Sequence, residues 1–387
     1  MRSVAFLLSL LLASPVLART PLPADALESV RVQRLVEQLD DAVGRADSGA
    51  YMALIDPTDP VFATEQRAWA NDLRAHPVED IELSLIGDEP VRLLEDGSAA
   101  ARIQIRWRVP GEDEPRSVSY EAAFRPVGAP GGQWVMAGRA WGVSLLDTPG
   151  VRVYAEPEHE QLALLARSRV PELRDAIAEN MGVASSEDSG LHEVVVKIFP
   201  DMASLQASIF LSYTDPLSGW NEPGESIKIL GRENFPQHRL DPLLAHEIGH
   251  AVSFEFGPEI IEAPWWALEG IAEVAANLFR DSWERRNERI TRLAREDDLR
   301  DWSLLADFRG EAMNHGRHVY LQGWSMVDFI DRTFGVDARN AWFAALGNGG
   351  TLDEATESAL GIGFAELDAR WRASLLEEPA DEGPDSD

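Results

Sequence analysis

The chain contains no cysteine. Disulfides and thiolate metal sites are therefore excluded, and any metal must be held by histidine and carboxylate. Lysine is nearly absent as well: Lys197 and Lys228 are the only two among 35 Lys and Arg residues, set against 66 Asp and Glu. The net charge of −31 would repel phosphate backbones, so nucleic acid is not an expected partner. A solvated acidic surface is enough to explain it. No internal repeat is visible. The apolar run within "MRSVAFLLSLLLASPVLART" is about 15 residues, short for a membrane span. With Arg2 before it and Ala18 after it, Val16 two residues earlier, residues 1–18 read as a signal peptide. Export to a periplasm or the medium follows, with no stable membrane insertion after signal removal. An uncleaved anchor is the rival reading.

What is present fits a globular protein: 387 residues, 45% hydrophobic and 26% charged, with room for two or three domains. Residues 27–55 carry Val30, Val32, Leu35, Val36, Leu39 and Val43 at helical spacing. Four β-prone segments follow, "VEDIELSLIG", "EPVRLLEDGSAAARIQIRWRV", "RSVSYEAAFRPV" and "GQWVMAGRAWGVSLL", separated by turn residues. One or two helices and then a curved antiparallel sheet make a small α+β domain over 24–147. In pattern it resembles the cone-shaped nuclear-transport-factor-like or cystatin-like modules. A second domain, 150–376, opens with a strand at 151–155 and a helix over 158–182. The strand "HEVVVKIFP", a short helix at 201–209 and the strand "ESIKIL" follow, and from Arg239 onward the pattern is helical. The predicted fold class is α+β. The acidic tail 377–387 has too little apolar content to pack and reads as disordered.

The segment "LLAHEIGHAVSFEF" carries the chemistry. Asp241 and Pro242 form an N-cap and first-turn pair, and Gly257-Pro258 closes the segment, which predicts a helix over 242–256. On it His246 and His250 stand at i and i+4, one turn apart on one face, where two imidazoles can share a metal. Glu247, beside the first of them, can reach a metal-bound water without ligating the metal. Pro264 opens a second helix, "PWWALEGIAEVAA", and Glu269 follows His250 by nineteen positions. Two histidines and a glutamate make a catalytic Zn²⁺ set with one position left for water, so one zinc per chain is expected. Glu273, one turn after Glu269, can hold a ligand histidine in its tautomer, or else form an interhelix salt bridge.

The pattern HExxH, eighteen residues, then Glu-Gly resembles that of the gluzincin zinc peptidases and the broader peptidase MA-like family. "VYLQGWSMVDFIDRTFG" (319–335) is similar to the segment bearing that family's catalytic tyrosine, and "LDEATESALGIGFAELDARWRASL" to a terminal helical unit. The resemblance covers about 150–376 and implies a mainly helical zincin-like domain with a small upstream sheet. It implies a peptidase acting on peptide or protein substrates, with His246, His250 and Glu269 as ligands and Glu247 as general base. Tyr320 matches the tyrosine that donates to the oxyanion. A packed tyrosine is the plainer alternative, and Tyr213 is a rival donor. The Gly-x-Met-Glu-Asn segment of the aminopeptidases has no counterpart. The matching region, "SGWNEPGESIKILGREN", has Glu222 and Glu225 in another context, so exopeptidase specificity is not implied. The strand "ESIKIL" could pair with an extended peptide.

Trp220, Trp265 and Trp266 are candidates for subsites or core. His238, His315 and His318 could line the cleft, while His76, His159 and His192 need no function. Two other functions compete: a zinc-containing scaffold of the cell envelope without turnover, and a small-ligand pocket inside the first sheet.

Overall fold

The computed structural model describes residues 24–87, 91–128, 132–183 and 193–377. Residues 1–18, expected to be a signal peptide, His192 and all but the first residue of the acidic tail lie outside the described residues. The architecture is α+β, a curled antiparallel sheet near the N-terminus and a helical C-terminal region. No described helix is long and apolar enough to cross a membrane.

The first unit begins with α1 (Ala24–Gly44), α2 (Ser48–Met52) and α3 (Pro60–Ala75). The single helix expected over 27–55 is broken. Ala46 takes a left-handed conformation (φ 49°), and Asp47 caps α2 by accepting from Ala50 N. Val32, Leu35, Val36, Leu39 and Val43 of α1 are all buried. They pack with strands β1 (Glu79–Leu85), β2 (Arg92–Leu93), β3 (Ala99–Arg108), β4 (Arg116–Val127) and β5 (Gln133–Arg139) in one hydrophobic core. These strands form one antiparallel sheet in the order β1-β3-β4-β5, with β2 on β3. Along β3 the residues Ala101, Ile103, Ile105 and Trp107 face the core, while Arg102 and Arg106 face solvent. A bulge between Ala123 and Phe124, where the pairing with β5 slips by one residue, helps the sheet to curl.

The fourth expected strand, "GQWVMAGRAWGVSLL", is two. β5 stays in the first sheet, whereas β6 (Val143–Thr148) pairs with β7 (Val151–Ala155) in a second. The change of sheet falls at Ala140–Gly142, inside the first unit as drawn from the sequence. The second sheet also takes β8 (Val194–Phe199), β9 (Gly219–Trp220) and β10 (Ile227–Leu230), in the order β6-β7-β8-β10-β9. Helix α4 (Glu160–Asn180) is the crossover between the parallel strands β7 and β8, and α5 (Met202–Ile209) follows β8. β8 reads "VVVKIF", an almost unbroken apolar run, as a strand covered on both faces should.

The helical region contains α6 (Gln237–Ser253), α7 (Trp265–Asn277), α8 (Trp283–Arg295), α9 (Gly316–Phe334), α10 (Val336–Gly347), α11 (Leu352–Leu360) and α12 (Phe364–Leu376). Leu240, Leu244, Ile248 and Val252 form the buried stripe of α6, and Trp266, Ile271 and Ala275 that of α7. Each large side chain so buried contributes roughly 1.5–3 kcal/mol. Glycines bring these helices unusually close. A Cβ on Gly249 would lie 2.8 Å from Ala275 Cβ, and one on Gly323 would lie 2.1 Å from the Trp266 carbonyl. That closeness sets α7 between α6 and α9 and carries Glu269 to the histidines.

The two units share an interface. Ala207 and Leu211 belong to the first unit's core, and their carbonyls accept from Trp69 Nε1 (3.1 Å) and Trp107 Nε1 (2.9 Å). A cavity of about 90 Å³ remains under the curled sheet, walled by Tyr51, Tyr120, Glu65 and Lys197 among others. That is smaller than the roughly 150 Å³ that holds one benzene, which leaves little room for the small-ligand reading.

Candidate metal centre

Helix α6 begins five residues before the expected start, with Pro236 at its N-cap, and ends at Ser253; a 3₁₀ turn completes 254–256. Asp241 is therefore not a cap. Its carboxylate accepts from Arg169 Nε of α4 at 3.0 Å and from Gln237 at 3.1 Å. Pro242 sits inside the helix, where its missing N–H forfeits one hydrogen bond, to the His238 carbonyl.

One turn further on, His246 Nε2 and His250 Nε2 are 3.2 Å apart. Glu269 Oε2, from α7, is 3.2 Å from the first and 3.6 Å from the second. These three residues form the metal-competent cluster among the described residues. For zinc bonds of about 2.0–2.1 Å, the edge of a coordination tetrahedron is roughly 3.3–3.4 Å. The three observed edges bracket that length. Glu269 Oε2 is shut off from solvent and accepts no properly directed hydrogen bond, despite two nitrogens nearby. A buried carboxylate oxygen is costly to leave in that state, and a cation at the common point would satisfy it. The donor set thus fits zinc.

Charge points the same way. Burial opposes a charge on His246, but Glu269 and Glu273 outweigh it and push its pKa well up. Burial likewise opposes the Glu269 carboxylate, and His250 and His246 hold it down at about 2.

The candidate ligands are themselves surrounded by polar partners. Trp265 Nε1 donates to Glu269 Oε1 at 2.8 Å. Glu273 Oε1 lies 3.2 Å from His246 Nδ1, while its Oε2 accepts from Arg280 at 3.0 Å and from Arg286 of α8. The salt-bridge reading of Glu273 is met by the two arginines, whereas its approach to His246 Nδ1 is close without being a directed hydrogen bond. Together with His246 the two arginines hold its carboxyl well below the usual range, against burial.

Glu247 is 4% exposed and lies under the edge strand β9, so near that a Cβ on Gly219 would sit 2.3 Å from its Oε1. Gly219 is thus required by close approach. Burial raises the Glu247 pKa. Tyr320 on α9 stands 6.0 Å from the His246 ring, centre to centre, and is 38% exposed; it is a cleft tyrosine, not a packed one. Burial in the cleft and the nearby Glu269 and Glu247 push its phenol well up. Tyr213, pushed up to about 12 by burial and then by Asp215 and Glu269, lines the same cleft.

The cleft encloses about 1270 Å³ and takes in the cluster, Glu247, Glu273, Tyr213, Tyr320, Trp220, Trp265, His238 and Glu222. Burial and then Glu225 raise Glu222 to about 7, whereas Glu225 is paired with Lys228 at 2.7 Å. Trp266 is fully buried core. His315 pairs with Glu311 at 3.4 Å, and His318 is buried; neither is among the described residues of the cleft wall. "ESIKIL" is not available to a peptide, because β10 is flanked by β8 and β9; the open edge belongs to β9.

Sequence reasoning did not find Trp265 as the partner of Glu269, although the two stand at i and i+4. It also missed Arg280 and Arg286, and nothing in local spacing points to Arg286, which comes from another helix. Compared with models of known protein families and with curated protein sequences, the chain matches none.

Proposed function

We propose that the protein is a zinc-dependent peptidase of gluzincin type, exported by virtue of residues 1–18 and hydrolysing peptide bonds in peptide or protein substrates. The observation that carries this reading is the near-equilateral triangle of His246 Nε2, His250 Nε2 and Glu269 Oε2, with edges of 3.2, 3.2 and 3.6 Å and an unsatisfied oxygen at one corner. These three residues would hold the zinc. When bound, it supplies Lewis acidity and an acidified water at neutral pH.

The chain's own groups supply the rest. Glu247, next to a proposed ligand yet not one, would take the proton of the attacking water and pass it to the leaving amine. Its raised pKa suits that exchange, since a buried carboxylate holds a proton more readily than an exposed one. Tyr320 faces the cluster with a phenol that stays protonated and can donate to the oxyanion as the carbonyl becomes tetrahedral. Trp265, which donates to Glu269 Oε1, would orient that ligand, and Glu273, 3.2 Å from His246 Nδ1, would accept from it once the metal sets the imidazole. The test is metal analysis combined with cleavage of a peptide library read by mass spectrometry, with and without chelator. Chelator-sensitive cleavage supports the reading. Zinc bound without any cleavage would favour the scaffold.

A further inference from the structure

A bar of aromatic rings crosses the cleft beside the metal cluster. Tyr213, Trp220, Trp265 of α7 and Phe308, in the loop 306–310, all line the cleft. Phe308 stacks on Tyr213 with ring centres 6.4 Å apart and 12° between planes. It lies 5.7 Å from Trp220 and 4.9 Å from Trp265. Trp265 holds Glu269 and lies 6.3 Å from Tyr320, so the bar abuts the cluster itself.

The first unit latches this bar. Asp72 of α3, with 4% of its side chain exposed, accepts from Ser212 Oγ at 2.7 Å and from Arg309 at 2.7 Å, with His76 Nδ1 at 2.8 Å. Ser212 adjoins Tyr213 and Arg309 adjoins Phe308, so one carboxylate ties the two ends together. The loop is anchored where Trp265 N donates to the Ala306 carbonyl (2.8 Å), and Asp307 closes its turn by accepting from Arg309 N at 3.0 Å. It reaches across the cleft through Phe308 and Arg309. The Arg309 side chain is 44% exposed, so water and salt screen its end of the pair, and Ser212 and His76 remain beside the buried Asp72 carboxylate when it leaves.

We propose that the loop 306–310 is a latched bar that sets substrate length. Closed, it admits a short peptide or a chain end. An extended polypeptide passes only when Arg309 leaves Asp72 and Phe308 swings off Tyr213, a closure of the kind that gates many active sites. The proposal rests on the peptidase reading above, and it makes Phe308 and Arg309 specificity-determining while neither touches the metal cluster.

The test compares the zinc-loaded full chain with Arg309→Ala and Phe308→Ala, measuring kcat/KM on a short fluorogenic peptide and on casein, an unfolded full-length protein. The casein-to-peptide ratio is expected to rise about tenfold in both variants. A ratio equal to that of the wild type in both would overturn the proposal. Hydrogen exchange of amides 306–316, recorded without substrate, separates the two readings. If no form cleaves any peptide, the peptidase reading fails alone, and the latch is then judged on exchange: faster in Arg309→Ala supports it, and unchanged refutes it.

Discussion

Glu65 and Glu269 are both buried glutamates that face nitrogen donors, and the two surroundings are built to opposite ends. Glu65, on α3, accepts from Ser226 N (3.2 Å) and Ser226 Oγ, and its other oxygen pairs with Lys197. Lys228, the register partner of Lys197 on the adjacent strand, pairs with Glu225. Burial opposes the Glu65 charge, and Lys197 and Lys228 outweigh it. The only two lysines of the chain are thus spent on one closed cluster in which each charge meets its opposite. Around Glu269 the donors instead converge on a common point and leave one oxygen without a directed partner. A finished set of pairs is a structural device; an unfinished set calls for a ligand.

Breaking each cluster should therefore have different consequences. Glu247→Gln is expected to lower kcat by about 10²–10⁴-fold with zinc content unchanged, since the variant keeps the ligands and loses the proton carrier. Glu65→Ala should cost about 3–5 kcal/mol in denaturant unfolding, because it strands buried ammonium charge, and it should leave one zinc per chain. Loss of zinc in that variant would erase the distinction between the clusters. Removing the metal with a chelator should lower stability by about 2.7 kcal/mol relative to protein held at a hundredfold excess of zinc over its Kd, read as a fall in Tm. Glu273→Gln should weaken zinc binding by about 10–100-fold in competition titrations, as expected for a partner that orients a ligand.

The smallest effect belongs to another closed pair. Arg125 holds Asp56 at about 2, its hydrogen bond outweighing burial. A carboxylate whose folded pKa lies below its unfolded value of about 3.9 adds stability above that value and loses it as pH falls towards 2. Asp56→Asn should cost on the order of 1 kcal/mol at pH 7, since Arg125 is one-third exposed and partly screened. Denaturant curves should converge with the wild type near pH 2.

What could be read from the sequence follows from how local each feature is. His246 and His250 share one helix, and Glu269 lies on the next, so spacing alone finds them. The two Asp-Pro pairs are instructive. At Asp59-Pro60 the aspartate caps α3 through Val61 N and Phe62 N, a start signal that the sequence reading left unused. At Asp241-Pro242 the same pair lies inside a helix, because Arg169 takes the carboxylate. No window of sequence around 241 contains Arg169. The run "GQWVMAGRAWGVSLL" hid a change of sheet for a related reason: β propensity reports extended backbone, not which sheet accepts it. Asp72, Arg286 and Phe308 act through contacts between distant elements, which only the folded chain brings together.

The most direct test of a metal site at residues 246, 250 and 269 is zinc K-edge absorption on the purified full chain, beside the variant His250→Ala. The account predicts one zinc per chain, with nitrogen and oxygen neighbours at about 2.0–2.1 Å, and loss of that signal in the variant. A wild-type protein that takes up no zinc, or a signal that His250→Ala leaves unchanged, would contradict it.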